Sequence, residues 1–255
     1  MTFRSPGWRS LAALAGVALG MAGCATRGPN HVYLAAEADA AVHDVGPQGA
    51  DLARVVGAGE RVVGLAYDFN TDHLFLRVVP AQVIRVVERP SGKVRREMPL
   101  PPVLQADGPG ADLAIRSRDR HLFAVAADGK SVVELTLWGE VVRRIELAGL
   151  GAPIGGLAYD QREQRLLLLT RATPARIGAV DPAGGVIHYL TLPAQVAPVS
   201  LGFDSDARHY FVPLAGGRTL GEFDAAGALV REIPATGDTP ITAVDAGPRS
   251  FVRVF

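Results

Sequence analysis

Cysteine is nearly absent from this sequence of 255 residues, and neither sign of charge is in excess. The single Cys24 excludes a disulfide within the chain and a metal site built from several cysteines. The 26 basic residues equal the 26 acidic residues, so no long-range field favours an anionic partner. We therefore expect no nucleic-acid partner.

Long apolar runs and familiar catalytic motifs are missing as well. No stretch approaches the ~20 apolar residues that a transmembrane helix needs. The chain contains no Gly-x-Ser-x-Gly elbow, no His-Glu-x-x-His, no Walker loop and no Gly-x-Gly-x-x-Gly after a predicted strand. We predict no catalytic residue, and we leave open whether the protein is an enzyme.

The first 24 residues have the three parts of an export signal. Arg4 and Arg9 form a basic region, residues 11–19 form an apolar run too short to span a bilayer, and small residues precede Cys24. This ending, Met21-Ala22-Gly23-Cys24, resembles the bacterial lipoprotein signal, although that family usually has Leu where Met21 stands. The alternative is an ordinary signal peptide cleaved near a cysteine.

The resemblance implies that Cys24 is acylated and becomes the first residue of the mature protein. Position 25 is Ala rather than the Asp that retains enterobacterial lipoproteins in the inner membrane. By this resemblance we expect a lipid anchor in the outer membrane, on its periplasmic side. Residues 1–24 are then the signal peptide and lipobox, and residues 25–30 a short linker.

The rest of the chain repeats a short pattern of small, apolar and acidic residues. Its copies are Gly64–Asp68, Asp112–Arg116, Gly156–Asp160, Ser200–Asp204 and, more faintly, Ile241–Asp245. Their last residues are 48, 44, 44 and 41 positions apart, which is the spacing of β-propeller blades. The repeat therefore predicts a propeller.

Each copy is followed by further predicted strands. A second apolar run begins five residues later, and two more alternating runs follow around a turn such as Asp224-Ala225-Ala226-Gly227. Period-two alternation bounded by Asp and Gly turns is typical of β-hairpins. We predict an all-β domain over residues 31–255, built from four-stranded antiparallel blades.

Four complete units lie between two partial ones. Residues 31–60 offer the second, third and fourth strands of a blade. Residues 240–255 offer a first strand and another candidate for the second strand. Joining the two ends completes a fifth blade and removes two exposed sheet edges. We predict five blades closed by the N- and C-terminal strands, with six as the alternative. In this register the four leucines of the repeat are buried between blades: Leu65, Leu113, Leu157 and Leu201.

Residues 31–255 resemble the NHL/YncE-like and SdiA-regulated group of bacterial propellers, which share the repeat Gly-Leu-Ala-Tyr-Asp, a second apolar strand and an Asp-x-x-Gly hairpin. These motifs specify a blade and not an activity. Sugar-lactonase propellers of this architecture carry an acidic metal ligand in the first blade. Glu37 is the only nearby candidate in residues 31–60, and its context does not match.

Two repeated side chains are candidates for a site. His31, His73, His121 and His209 share the start of the second strand, and we interpret them as structural because equivalent positions lie far apart around a ring. Asp68, Asp160, Asp204 and Asp245 each end a first strand. We favour a turn-capping role for them, with Ca²⁺ binding at one channel mouth as the alternative. Arg116 replaces this Asp in one blade and is expected to pair with a carboxylate.

These observations leave two functions open. The first is a membrane-anchored binding or scaffold protein facing the periplasm, monomeric, with a protein, peptide or glycan ligand. The alternative is a metal-dependent hydrolase or lactonase acting in the channel. A cluster of three or more carboxylate, Asn or His side chains at one mouth favours the enzyme, and an apolar or aromatic patch favours the binding protein.

Overall fold

Five antiparallel sheets stand side by side in a ring. The computed structural model describes residues 27–45, 52–105, 110–147, 149–181, 185–193, 195–235 and 237–250. Besides strands, these residues contain one short 3-10 helix, Pro102–Leu104. Cys24 and the rest of the predicted signal lie outside the described residues.

Four sheets are formed by consecutive strands. Blade 1 contains β3 (Arg61–Asp68), β4 (His73–Val79), β5 (Val83–Glu88) and β6 (Lys93–Pro99). Blade 2 contains β7 (Leu113–Arg116), β8 (His121–Val125), β9 (Ser131–Thr136) and β10 (Val141–Glu146). Blade 3 contains β11 (Ile154–Asp160), β12 (Arg165–Thr170), β13 (Arg176–Val180) and β14 (Val186–Thr191). Blade 4 contains β15 (Gly202–Asp204), β16 (His209–Pro213), β17 (Thr219–Phe223) and β18 (Leu229–Pro234).

The fifth sheet joins the two ends of the chain. Its strands are β1 (Arg27–Ala36), β2 (Val42–Asp44) and β19 (Ile241–Ser250), in the order β19-β1-β2. Strand β1 lies antiparallel to β19, with Leu34 opposite Val244 and His31 opposite Gly247. Closure by the terminal strands is therefore confirmed, and this sheet is blade 5.

The first strand of each blade faces the axis of the ring. Strands β3, β7, β11, β15 and β19 contact one another in a closed circle. The predicted five-bladed, all-β propeller is confirmed. Because strands one and three of a blade run in the same direction, the turns after them lie at the same end. We call this end the mouth face and the other end the opposite face.

The repeat works because its apolar residues fill the gaps between blades. The four repeat leucines are at most 1% exposed: Leu65, Leu113, Leu157 and Leu201. Gly64 and Gly156 of the repeat lie against the next inner strand. At Gly156, a Cβ atom would lie 2.5 Å from the carbonyl carbon of Ser200, so the inner strands approach as closely as their backbones permit.

Three details of the ends differ from the sequence predictions. Strand β1 begins at Arg27, inside the predicted linker 25–30. The turn expected after Asp245 is wrong, because β19 continues unbroken to Ser250. Residues 251–255, which hold most of the second-strand candidate, lie outside the described residues.

The fourth strand predicted within residues 31–60 is absent from the part that the structure describes. The N–H groups of Leu52 and Val55 donate to Val42 and Ala40 at 3.0 and 2.7 Å, without a regular ladder. Residues 46–51 are not among those described.

Candidate functional site

Three of the four candidate aspartates cap their own turns. Asp160 Oδ1 accepts the N–H groups of Arg162 and Glu163 at 3.0 and 3.1 Å. Asp204 Oδ1 does the same for Asp206 and Ala207, at 2.8 and 2.9 Å. The second oxygen binds a neighbouring blade, as Asp160 Oδ2 accepts from Arg208 at 2.9 Å. The favoured capping role is thus found for these residues.

Asp68 also caps its own turn, and both of its carboxylate oxygens accept hydrogen bonds there. Its Oδ1 accepts the N–H group of Asn70 at 3.1 Å, and its Oδ2 accepts the Thr71 hydroxyl at 2.7 Å.

Asp245 does not cap a turn, and this prediction is wrong. His31 lies opposite Gly247, whereas His73 lies opposite Asp68, so Gly247 and not Asp245 is level with the capping aspartates. Asp245 instead reaches across to blade 1, where its Oδ2 accepts the N–H group of Tyr67 at 2.7 Å. The alignment of the faint fifth copy, Ile241–Asp245, is thus two residues out of step.

The repeated histidines pair with carboxylates inside their own blades. His31, His121 and His209 lie 2.6 Å from Asp44, Glu134 and Glu222 respectively, each thirteen residues further along the chain. The pairing is between strands two and three, and it recurs in three blades. This geometry fits the structural role expected for the histidines.

Glu134 is the centre of the most connected of these clusters. It accepts from Arg116, His121 and Arg143, all at 2.6 Å, and its side chain is only 3% exposed. Burial alone would raise the pKa of Glu134, but these charged hydrogen bonds outweigh it and lower the pKa to about 2. Arg116 also binds Asp119 at 2.6 Å, so its expected pairing with carboxylates is found.

Among the described residues, no group of three or more His, Cys, Asp or Glu side chains is placed to hold a metal ion. Asp68, Asp160, Asp204 and Asp245 are divided among separate turns and strands. The structure thus shows each candidate Ca²⁺ ligand engaged with backbone or side-chain donors.

Asp112 closes the channel of the ring. Its carboxylate has no exposed surface, and its Oδ2 accepts the N–H groups of Leu157 and Leu201 at 2.9 and 3.0 Å. The Ser200 hydroxyl also donates to this oxygen, at 3.0 Å, and accepts the N–H group of Val244 at 2.9 Å. One carboxylate thereby links the inner strands of blades 2, 3 and 4, and Ser200 extends the link to blade 5.

The position explains why the inner edges need such a group. An inner strand has a neighbour on one side only, so half of its peptide N–H groups point to the axis without a ladder partner. Asp112 accepts two of them. Burial raises the pKa of Asp112 to about 8, against the lowering effect of these hydrogen bonds.

Above this closure, the channel opens at the mouth face as a funnel of about 310 Å³. Most of the buried part of its wall comes from one repeat position, the residue before the last of the first strands of blades 1 to 4: Tyr67, Ile115, Tyr159 and Phe203. Ala114 and Gly247 are buried lining residues as well. A strand has a period of two residues, so the peptide groups of Tyr159 and Phe203 point to the same side as those of Leu157 and Leu201. That side faces the axis, and at the level of Tyr159 and Phe203 it faces the funnel.

The rim of the funnel mixes apolar and polar side chains from the second and third residues after this wall position. Phe69, Gln161, Ser205 and Pro248 are half-buried there, and Arg162 and Asp206 are exposed. Asp245 lies in the wall, where burial raises its pKa to about 7 despite hydrogen bonds from the N–H groups of Tyr67 and Ala246.

Hydrogen bonds between neighbouring turns hold this rim in place. Gln161 donates to the carbonyl of Ile115 at 2.6 Å and accepts from the N–H group of Ser117 at 3.1 Å, both in blade 2. On its other side, the Gln161 N–H group donates to the Ser205 hydroxyl of blade 4 at 3.0 Å. The funnel is therefore preformed by contacts among three blades.

Sequence reasoning missed Asp112 and the funnel. Asp112 occupies the repeat position that holds Gly64, Gly156 and Ser200, and an acidic residue among such small ones was the available signal.

Comparisons with known proteins show the fold alone. No protein-family model matches the chain, and no curated protein matches it. A chain of a crystal structure of a nidogen/laminin complex is similar with a TM-score of 0.60 and 11% identity, over 86% of this chain and 98% of that one. A protein of unknown function from Bacteroides caccae matches with 12% identity and a TM-score of 0.47, over 82% and 74% of the two chains.

The comparison with the nidogen/laminin structure supports the propeller fold. In the part of the chain described, no helix is long and apolar enough to cross a membrane.

Proposed function

We propose that this protein is an exported, lipid-anchored binding protein of the periplasmic side of the outer membrane, and that its ligand enters the funnel at the mouth face. The funnel is the observation that carries the proposal. It combines a wall of inner-strand backbone and nearly buried side chains with a rim of apolar and polar side chains on a preformed scaffold, and concave sites of this kind are where ligands bind.

The chemistry of the funnel favours a ligand with both an apolar face and hydrogen-bonding edges. Phe69 and Pro248 on the rim offer apolar surface, while Gln161, Ser205 and Asp245 offer donors and acceptors near it. Sugar rings and peptides have this dual character, and a volume of about 310 Å³ fits one or two such units. The ligand is therefore a glycan or a peptide segment.

Two resemblances are compatible with a binding role. The nidogen/laminin structure that shares the fold is, by its name, a complex of two proteins. The repeat resembles the NHL/YncE-like propellers, and we propose that the chain is a member of that group acting as a monomer.

The anchoring is tested on Cys24. Mass spectrometry of membrane-extracted protein should find an N-terminal cysteine carrying two or three acyl chains. Cys24→Ser should release the protein from membranes or stop its processing. A soluble form that begins at another residue would contradict the anchor.

The ligand site is tested with a matched pair of substitutions. Arg162→Trp places a bulky ring on the funnel rim, and Arg118→Trp makes the same change at the equivalent turn position of blade 2, outside the funnel lining. Calorimetry with soluble oligosaccharides of one to four units and with di- to tetrapeptides should find a probe that binds the parent and Arg118→Trp equally and Arg162→Trp much more weakly. Binding that survives Arg162→Trp would refute the funnel as the site.

A further inference from the structure

The chain enters the propeller at the mouth face. Strand β1 runs antiparallel to β19, so its first residues lie beside the end of β19: Asn30 is opposite Pro248 and His31 is opposite Gly247. Gly247 and Pro248 both line the funnel. The described chain therefore begins at the edge of the same opening that we propose as the ligand site.

The connection from this edge to the proposed anchor is very short. Cys24 precedes Arg27 by three residues, and three residues span at most about 11 Å whatever their conformation. To turn the opposite face to the membrane, the connection would have to run the length of a blade. Ten residues of strand, the length of β1, span about 33 Å. A lipid on Cys24 would thus hold the mouth face close to the bilayer.

The exposed apolar side chains point to the same end of the molecule. Trp138 is 72% exposed in the turn between β9 and β10, and the other large exposed apolar residues in the described segments lie in the first two positions of fourth strands. These are Val94, Val141, Val142, Leu229 and Val230. Because third-to-fourth-strand turns lie at the mouth face, all six residues form an apolar fringe around that face.

We infer that the mouth face rests on the surface of the bilayer that holds the Cys24 lipid, with the apolar fringe in its interfacial region and the funnel open to the headgroup layer. Tryptophan, with an apolar ring and one N–H group, suits that layer, and Arg96 lies over the Trp138 ring at 4.1 Å. The inference rests on the proposed lipidation. Its consequence is that the glycan or peptide ligand is one displayed at the membrane surface.

The contact does not depend on anionic lipids. The mouth-face turns mix both signs of charge, as with Arg162 and Asp206 on the funnel rim, so electrostatic attraction to a charged surface is small. Anchoring and apolar contact supply the orientation. We therefore expect the same orientation on zwitterionic vesicles and on vesicles that contain anionic phosphatidylglycerol.

The protein carries its own reporter for this orientation. Of its two tryptophans, Trp8 lies in the predicted signal peptide, so Trp138 is the single tryptophan of the processed chain. The purified lipoprotein is reconstituted into phosphatidylcholine vesicles with brominated acyl chains, which quench only tryptophans that reach the bilayer. Trp138 emission should be weaker than in vesicles without bromine, and in both kinds of vesicle it should lie to the blue of the emission from unanchored protein.

A second variant reports on the opposite face. Trp138→Phe combined with Lys130→Trp moves the single tryptophan to an exposed turn between β8 and β9, at the far end of the same blade. Its emission should be unchanged by brominated lipid. Equal quenching of both reporters, or quenching of the Lys130→Trp reporter alone, would overturn the orientation.

Flotation separates the two levels of the proposal. Protein that floats with the vesicles while Trp138 stays unquenched refutes the orientation and leaves the anchoring intact. Protein that neither floats nor carries lipid on Cys24 refutes the anchoring, and the orientation falls with it. Shielding of Trp138 from a water-soluble quencher without quenching by lipid would show a protein partner on the fringe, which also overturns the inference.

Discussion

Replacing Asp112 with Asn should change how the stability of the ring depends on pH. Asp112 Oδ2 holds the N–H groups of Leu157 and Leu201, while Oδ1 is buried and bonds no described group. Burial raises the pKa of Asp112 to about 8, so the carboxyl is protonated in the folded state at neutral pH. In the unfolded chain it ionises near pH 4.

The sign and size of the effect follow from this difference. Between about pH 4 and pH 8 the unfolded state binds fewer protons than the folded state, so the free energy of unfolding falls as pH rises. One proton corresponds to about 1.4 kcal/mol per pH unit. From pH 5 to pH 7, Asp112 should therefore lower the stability by up to about 3 kcal/mol relative to Asp112→Asn, which cannot ionise. Below pH 4 the carboxyl is protonated in both the folded and the unfolded state, so the pH-dependent part of the difference in stability between the two proteins should vanish.

Urea unfolding of the two proteins at several pH values measures this difference, with Cys24→Ser in both chains to keep them out of membranes. Other titrating groups, such as Asp245, contribute equally to both and cancel. Asp112→Ala serves as a control for the hydrogen bonds. It leaves two buried N–H groups without an acceptor and should lower the free energy of unfolding at all pH values by about 2–6 kcal/mol. Parallel pH profiles for Asp112→Asn and the parent would refute the protonated carboxyl.

Three further changes test other parts of the ring. Leu157→Ala should lower the free energy of unfolding by about 2–5 kcal/mol, whereas the exposed Val142→Ala should change it by less than about 0.5 kcal/mol; urea unfolding compares them, and equal effects would mean that the blade register is wrong. Glu134→Gln should flatten the loss of stability that the parent shows as pH falls from about 4.5 towards 2. The pKa of Glu134 is lowered in the folded state, so the parent loses stability in this range as the unfolded state takes up a proton; an unchanged acid profile would count against this reasoning. Deleting residues 240–255 removes β19 and should cause aggregation or non-cooperative thermal unfolding, and a monomeric deletion with a similar midpoint would contradict ring closure.

The blades were predictable because their information is local. The spacing of Leu65, Leu113 and Leu157, the alternation of the strands and the Asp turns each specify a neighbouring contact within about 15 residues or the adjacent copy. The same locality explains the histidines, whose carboxylate partners lie thirteen residues away. Where the repeat is faint, at Asp245, the alignment failed by two residues, and with it the predicted role of that side chain.

The sequence by itself thus determined the fold class, the number of blades and the joining of the two ends. Only the tertiary structure decided where the polar groups of the axis go. Asp112 meets Leu157 and Leu201 at separations of 45 and 89 residues, because the ring brings all five inner edges to one line. The spacing of residues along the chain does not predict which peptide N–H groups face that line or which side chain reaches them. The funnel has the same origin, since most of its buried wall comes from one repeat position, and the copies of that position surround a shared space only when the ring closes.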